Sequence, residues 1–211
     1  MGNVGIIGRA RVGKDTAGKW LVDERGYRRV GFADALKEAA LKVDPIVHAT
    51  AERSSAYGYG GEVVPVWDAE THYLSDIVRR MGWEAAKDEF PEVRRILQEL
   101  GASIRALDPE FWLRIALAKT QEANEAGVPV VITDVRYPNE AESLRRAGFH
   151  LLHIERPGVP QLDHESEGAL TADDADYTVR NDGDVYQFLS MVELFWTRVE
   201  QYESRRHSAR L

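Results

Sequence analysis

Short apolar runs alternate with amphipathic stretches along the chain, and the first apolar run is Val4–Ile7, which stops at Gly8. A run of this length with β-branched residues is typical of a buried parallel strand. Residues 15–25 then carry apolar side chains at helical spacing, and Gly26 follows. This pattern predicts a helix that ends at Gly26. The chain therefore opens with a strand, a loop and a helix.

The next stretch predicts a second such unit and then a break. Residues 29–32 are expected to form a short strand, and residues 34–43 a helix that Pro45 terminates. Residues 46–72 are expected to form a loop, because a glycine-rich cluster and Pro65 interrupt any regular period. We found no sequence signal that assigns a role to this stretch.

Helices are predicted to follow the loop. Residues 74–81 and 92–100 have helical spacing, and Gly101 is expected to end the second of these helices. A further helix is predicted from about Asp108 to Ala126, because Asp is a good helix cap and proline is tolerated at the first helical position.

Residues 128–134 form the clearest predicted strand, apolar until they end on the carboxylate of Asp134. The rest of the chain predicts helix 139–146, strand 149–155, an acidic loop, strand 177–180 and helix 185–202. Strands that alternate with helices indicate an α/β fold, in which a mostly parallel sheet is covered on both faces.

Composition and charge narrow the possible classes of protein. The 211 residues contain 44% hydrophobic and 29% charged residues, which is typical of a soluble globular domain. Cysteine is absent, so disulfides are excluded and a cytoplasmic location is expected. We expect neither a signal peptide nor a membrane span. The net charge of −8 argues against nucleic-acid binding.

Residues near the C-terminus leave two points open. The basic residues at 205–210 are expected to be a solvated helix end. The apolar stripe of the last helix fits packing on the sheet or, alternatively, the interface of a homodimer, and packing is the default expectation.

A phosphate-binding pattern lies between the first strand and the first helix. Gly8 is followed by four residues and then by Gly13 and Lys14. Glycines allow backbone amides to turn towards phosphates, the helix N-terminus adds positive potential, and the lysine supplies a mobile cation. The β- and γ-phosphates of ATP fit this loop best, with contacts from Arg11, Val12 and the residues that follow.

The pattern departs from the usual one after the lysine, where Asp15 stands in place of Ser or Thr and Thr16 comes next. Asp15 either ligates Mg²⁺, directly or through water, or caps the helix, and Thr16 is the other candidate metal ligand in this turn. Arg9 and Arg11 are both able to add positive charge near a transferred phosphoryl group. We expect Arg9 to face solvent and leave both orientations open for Arg11.

Several segments together resemble the bacteriophage deoxynucleoside monophosphate kinases, in the same order from Gly5 to about Asn181. They are Gly13–Thr16, Phe32–Lys37, Leu97–Gly101, Phe111–Trp112 and Asp134–Glu140. The resemblance implies a P-loop NTPase-type three-layer α/β/α fold made of one kinase domain, residues 1–211. It also implies an inserted helical substrate lobe at about 44–107 and a lid at about 156–176.

The resemblance implies a role for residues at the ends of the predicted strands. Asp134 would hold Mg²⁺ or orient an arginine, although a helix-capping aspartate is the alternative. Arg136 would bind the acceptor phosphate, and Glu140 belongs to the same motif. Asp34 and Lys37 would face the substrate, although an exposed pair in the first helical turn fits them equally well.

Other candidates for substrate binding are weaker. Gln98 offers an amide to a base edge but would otherwise be solvated. Arg105 is expected in a connection between helices, where it would bind phosphate or lie at the surface. Trp112 would stack on a base or pack in the core.

The predicted lid supplies the last candidates. Arg156 would be a catalytic cation together with Lys14 and Arg136. His164 is expected to order the lid, because the phosphate acceptor is already anionic and needs no base. Residues 181–183, which begin with Asn181, read first as a turn, although the resemblance implies that this loop lies near the adenine of ATP.

The implied function is ATP- and Mg²⁺-dependent phosphorylation of a deoxynucleoside monophosphate in the cytoplasm of a phage host. A kinase for another phosphorylated acceptor, such as a coenzyme A precursor, is one alternative. A non-catalytic nucleotide-binding module is another. The preferred base does not follow from the sequence, because a few side chains in the substrate lobe decide it.

Overall fold

A computed structural model describes residues 2–57, 59–160 and 168–209. The chain divides into two compact units, the first formed by Met1–Asp34 and Trp112–Leu211 and the second by Ala35–Phe111. The strands are β1 (Val4–Ile7), β2 (Arg28–Arg29), β3 (Ile46–Tyr57), β4 (Val63–Tyr73), β5 (Val130–Val135), β6 (His150–Glu155) and β7 (Tyr177–Arg180). The helices are α1 (Lys14–Arg25), α2 (Phe32–Val43), α3 (Leu74–Glu89), α4 (Pro91–Leu107), α5 (Phe111–Glu125), α6 (Pro138–Arg146) and α7 (Val185–Ser208).

The first unit is built on a parallel sheet with the strand order β2-β5-β1-β6-β7. Alternate residues of the strands pack in two separate cores. One core joins Ile6 and Leu152 of the sheet to α1 and α7, and the other joins Ile132 and Leu151 to α5 and α6. Helices therefore cover both faces, which confirms the predicted three-layer α/β/α architecture.

The final helix packs on the sheet, as expected. Its buried side chains are Phe188, Val192, Phe195 and Val199, and Leu189 and Trp196 are only partly buried beside them. The helix also extends to Ser208, so Arg205, Arg206 and His207 belong to its last turn. Within the described residues, no helix is both long and apolar enough to cross a membrane.

The second unit contains a feature that the sequence reading missed. The loop predicted at residues 46–72 is wrong, because β3 and β4 form an antiparallel hairpin over most of this stretch. Pro65 lies within β4 opposite Ser55. A proline lacks the amide that a central strand would need, but a two-stranded hairpin has a free outer edge that tolerates it.

Helix boundaries in this unit also differ from the prediction. Helix α4 continues through Gly101 to Leu107, so Gly101 does not end it. Gly101 is buried, and a Cβ at this position would lie 3.1 Å from Cδ2 of Leu36 on α2. The absence of a side chain at Gly101 therefore lets Leu36 of α2 pack closely against α4. In α3, the backbone leaves the helical region at Gly82.

Two boundaries near the sheet were misplaced as well. Phe32 was expected in a strand but begins α2, and β2 is only Arg28–Arg29. The helix predicted from Asp108 begins at Phe111, and the Asp108 carboxylate instead accepts a hydrogen bond from the amide of Glu110.

Candidate active site

The phosphate loop connects β1 to α1, and its backbone takes conformations that β-carbons disfavour. Gly13 has φ 111°, and Arg11 has φ 64°, in the left-handed region. A Cβ on Gly13 would lie 2.8 Å from Nδ2 of Asn181 and 3.2 Å from Cζ of Phe188. Glycine is therefore required at position 13 both for its backbone angle and for the close approach of two side chains.

Lys14 lies in the first turn of α1 and folds back over the loop. Its Nζ donates hydrogen bonds of 2.6 Å to the carbonyl oxygens of Gly8 and Arg9. These contacts hold the ammonium group at the mouth of the loop. The predicted sequence of strand, glycine loop, lysine and helix is thus present.

An open cavity of about 310 Å³ lies beside this loop. Three cationic side chains face it from the loop, from α1 and from the segment after β6, together with one carboxylate. The lining residues are Arg11, Gly13, Lys14, Asp15, Thr16, Arg156, Asn181, Gly183, Val185 and Phe188. Such a surplus of cations next to a helix N-terminus suits a polyanionic ligand.

Sequence reasoning missed part of this lining. Val185 and Phe188 come from the start of α7, and neither of them was a candidate, whereas Gly183 belongs to the turn that the resemblance placed near the adenine. Phe188 could have been found from the sequence, since it lies four residues before Val192 in the apolar stripe of α7. Val185 follows only from the folded arrangement.

Asp15 and Thr16 are exposed in the first turn of α1. Oδ1 of Asp15 lies 3.4 Å from the hydroxyl of Thr133, a long hydrogen bond. Mg²⁺ in nucleotide sites binds few protein oxygens and takes its other ligands from phosphates and water, so these two oxygen-bearing side chains fit that ion. The described residues contain no group of three or more His, Asp or Glu able to hold a metal by themselves.

Asp134, at the end of β5, caps the N-terminus of α2. Its Oδ1 accepts from the amide of Phe32 at 3.2 Å, and its Oδ2 from that of Ala33 at 3.1 Å. Burial raises the pKa of this carboxyl, and the two backbone amides partly oppose that rise. The carboxylate is therefore engaged in the helix-capping role that the sequence left as the alternative to metal binding.

Asp34 is used in a similar way. Its Oδ2 accepts from the amide of Gly31 at 2.8 Å, and its Oδ1 lies 3.5 Å from Nη1 of Arg29. A Cβ on Gly31 would lie 3.2 Å from Oδ2 of Asp134. The two carboxylates thus flank Gly31 and shape the turn between β2 and α2.

Arg136 is exposed just beyond β5 and lines a narrow cleft with Gly8 and Arg9 of the phosphate loop. Arg9 is half-buried there, where the sequence reading expected it to face solvent. Glu140 is buried, and its Oε2 accepts from the amides of Arg136 at 2.8 Å and Tyr137 at 3.1 Å. Glu140 therefore positions the backbone that carries Arg136.

The remaining candidates occupy different surroundings. In the second unit, Nζ of Lys37 lies 5.6 Å from the ring centre of Trp83, and Gln98 is exposed on α4. Arg105 lies within α4, so its predicted place in a connection is wrong. Trp112, in the first unit, is buried in the first turn of α5. His164 lies outside the described residues.

Comparison with known proteins identifies the family. The profile of the deoxynucleotide monophosphate kinase family matches residues 69–192, more than half of the chain. A mimivirus protein (Acanthamoeba polyphaga mimivirus), provisionally named a deoxynucleotide monophosphate kinase, is 26% identical over 90% of this chain and 93% of its own length. The deoxynucleotide monophosphate kinase of Enterobacteria phage T4 is 29% identical over a segment that covers 48% of this chain and 44% of that enzyme.

Two further matches extend the comparison. An uncharacterised protein, ORF77 of Ictalurid herpesvirus 1 (strain Auburn), is 35% identical over 64% of this chain and 59% of its own length. Among solved structures, the dephospho-CoA kinase from Campylobacter jejuni superposes with a TM-score of 0.47 and 13% identity, over 96% of this chain and all of that one. Because the family profile matches more than half of the chain, from within β4 to within α7, the chain belongs to the deoxynucleotide monophosphate kinase family.

Proposed function

We propose that this protein transfers the γ-phosphoryl group of ATP to a deoxynucleoside 5′-monophosphate, releasing ADP and a deoxynucleoside diphosphate. The observation that carries the proposal is the cavity of about 310 Å³ at the end of β1, lined by Arg11, Lys14 and Arg156. A triphosphate is the common ligand that matches clustered cations at a glycine loop and helix N-terminus. Membership of the family supports the nature of the acceptor.

The phosphate donor would be bound by the loop and the start of α1. The amides of Val12 and Gly13 would point at the phosphates, and Lys14 would exchange its contacts with Gly8 and Arg9 for phosphate oxygens. Asp15 and Thr16 would hold Mg²⁺, which supplies charge neutralisation on the ATP side.

The acceptor phosphate would be bound by Arg136. Glu140 would orient it indirectly, because its buried carboxylate fixes the amide of Arg136. A role for Asp134 in metal binding would require it to give up contacts with α2. Further candidates for acceptor binding, each to be tested separately, are Asp34, Lys37, Gln98, Arg105 and Trp112.

In the reaction, an oxygen of the acceptor phosphate would form a bond to the γ-phosphorus of ATP. The bond between that phosphorus and the β,γ-bridging oxygen would break, and its electron pair would leave with ADP. The acceptor oxygen is already anionic near neutral pH, so no general base is needed. Lys14, Arg136 and Arg156 would act by stabilising the charge on the transferred group.

The test is ADP release measured with purified protein, ATP and Mg²⁺, with a panel of acceptors. The panel should contain the deoxynucleoside monophosphates, the matching ribonucleotides and dephospho-coenzyme A. We expect turnover that depends on a deoxynucleoside monophosphate. Equal ADP release without acceptor, or faster turnover of a different acceptor, would contradict the proposal.

A matched pair of lysines on α1 provides the control. Lys14→Ala should reduce kcat/KM by roughly 100-fold or more, as loss of a charge-stabilising group does. Lys19→Ala removes an exposed lysine that pairs with Asp23 on the same helix, and should leave activity unchanged. ATP binding by the wild type without turnover on any acceptor would indicate a non-catalytic module.

A further inference from the structure

Asn181, in the turn between β7 and α7, is buried with 7% of its surface exposed. Its Nδ2 donates a 2.8 Å hydrogen bond to the carbonyl oxygen of Val12 in the phosphate loop. Its backbone amide donates a second 2.8 Å bond to the carbonyl oxygen of Glu155, at the end of β6. One residue thus contacts both the loop and the strand end that precedes Arg156.

Val12 lies in the loop between β1 and α1, outside every helix and strand. The residues on either side, Arg11 and Gly13, both have positive φ. Among the described residues, no backbone amide donates to this carbonyl. A buried carbonyl without a partner is costly. The Asn181 amide supplies that partner.

Packing reinforces the contact. A Cβ on Gly13 would approach Nδ2 of Asn181 to 2.8 Å, so the side chain lies directly against the loop. Phe188 of α7 lies against the same glycine. Because the Val12–Gly13 peptide carries an amide at the cavity wall, any rotation of its carbonyl also turns that amide.

We propose that Asn181 is a positioning residue for the phosphate donor, fixing the Val12–Gly13 peptide so that the loop amides face the triphosphate. This inference rests on the proposed function of the cavity. It differs from a contact between Asn181 and the adenine base, because its effect is exerted on the phosphates through the loop.

The experiment compares Asn181→Ala and Asn181→Asp with the wild type. Dissociation constants are measured by calorimetry for ATP and, separately, for inorganic tripolyphosphate, which has no base. For both ligands we expect affinity to fall by roughly tenfold or more in each variant, since one partner of a buried hydrogen bond is lost. A base contact would instead weaken ATP binding alone and would overturn the proposal.

A pH series provides a signature that a merely structural role does not give. Near pH 8 the carboxylate of the Asn181→Asp variant opposes the Val12 carbonyl, whereas its protonated form can donate to that oxygen as the amide does. The ratio of variant to wild-type KM for ATP should therefore fall towards one as pH is lowered. A ratio that does not change with pH would contradict the positioning role.

Asn3 is the matched control. It is also a buried asparagine next to the sheet, immediately before β1, and its Oδ1 accepts a 2.8 Å bond from the amide of Val130. Asn3→Ala should lower the melting temperature without changing the affinity for ATP or tripolyphosphate. If the Asn181 variants behave in the same way, the inference fails. If the wild type binds neither ligand, the proposed function itself fails.

Discussion

The two ends of the parallel sheet both carry a cleft lined by arginines, but the charges are arranged differently. The cleft at the amino ends of the strands is the larger, about 800 Å³ against about 310 Å³ at the carboxyl ends. Three of the arginines at the amino end each form an ion pair with a glutamate. These pairs are Arg25–Glu193, Arg146–Glu142 and Arg206–Glu203.

At the carboxyl end, by contrast, Arg11 and Arg156 line the cavity and form no ion pair or side-chain hydrogen bond with any residue in the described part of the chain. Paired arginines have their charge satisfied by the protein, whereas cations without a carboxylate partner are available to an anionic ligand. Charge pairing therefore distinguishes the candidate active site from the other cleft more clearly than cleft size does.

The largest effect on activity is expected from a substitution that distorts the phosphate loop, at the carboxyl end of the sheet. In Gly13→Ala, the new Cβ would meet Asn181 and Phe188 at a backbone φ of 111°. We expect kcat/KM to fall by about 100-fold or more, because a displacement of about 1 Å in a phosphate site has effects of that size. Steady-state ADP release measures it.

Gly26→Ala is the control for this change. Gly26 ends α1 with φ 68°, and a Cβ there would meet nothing within 4 Å. It should cost about 1 kcal/mol of unfolding free energy through backbone strain alone. Activity of the folded enzyme should not change, and a comparable loss of activity in both variants would undermine the argument from close packing.

Arg11→Gly should separate stability from activity at the carboxyl end. It relieves a left-handed backbone at a non-glycine residue, so the free energy of unfolding should stay constant or rise by up to about 1 kcal/mol. It also removes a cation from the cavity, and kcat/KM should fall by at least about tenfold. Urea unfolding and kinetics measure the two effects.

Arg11→Lys tests the role of the charge, because it keeps a positive charge and a non-glycine residue in the left-handed region. Its activity should lie between that of the wild type and that of Arg11→Gly. Wild-type activity in the glycine variant would mean that the Arg11 side chain has no part in catalysis.

At the amino end, the expected effect is on stability. The buried hydroxyl of Tyr27 donates a 2.7 Å hydrogen bond to the carbonyl of Gly2. Tyr27→Phe should lower the free energy of unfolding by roughly 1 kcal/mol, the usual value of one such bond. Urea titration measures it, and kcat/KM should remain that of the wild type. A loss of activity would show that the two ends are coupled.

The smallest effect is expected between the two ends, at His153 of β6. Burial lowers the pKa of this imidazole, and its Nδ1 is buried without a hydrogen-bond partner in the described residues. Below about pH 6.5 the unfolded chain therefore takes up a proton that the folded protein resists. Stability should fall as pH is lowered through that value.

His153→Leu removes this titration. Melting curves between about pH 8 and pH 5 should show a smaller loss of stability in the variant than in the wild type, because leucine takes up no proton when the chain unfolds. Parallel curves for the two proteins would contradict the assignment.

The elements of the sheet could be predicted because their signals are local. The bounds of β1 and β7 agree with the sequence reading, and those of β5 and β6 differ from it by one or two residues. Strands buried on both faces are continuous apolar runs, and each run can be recognised without knowing its neighbours.

The errors concern residues whose environment is supplied by distant parts of the chain. The β3–β4 hairpin depends on pairing between strands, which the glycine cluster and Pro65 concealed. Phe32 begins a helix because Asp134, about a hundred residues away, caps its amide. Gly101 lies within a helix, where its lack of a side chain leaves room for Leu36.

The phosphate loop could be recognised from the sequence alone, since Gly8, Gly13 and Lys14 lie within seven residues of one another, between a strand and a helix that each have a local signal. Only the tertiary structure shows which polar groups form hydrogen bonds within the protein and which face the cavity. Asp134 and Glu140 are engaged with backbone amides, whereas Arg11 and Arg156 line the cavity. Hydrogen bonds and ion pairs depend on distances between residues far apart in the chain, and only folding fixes those distances.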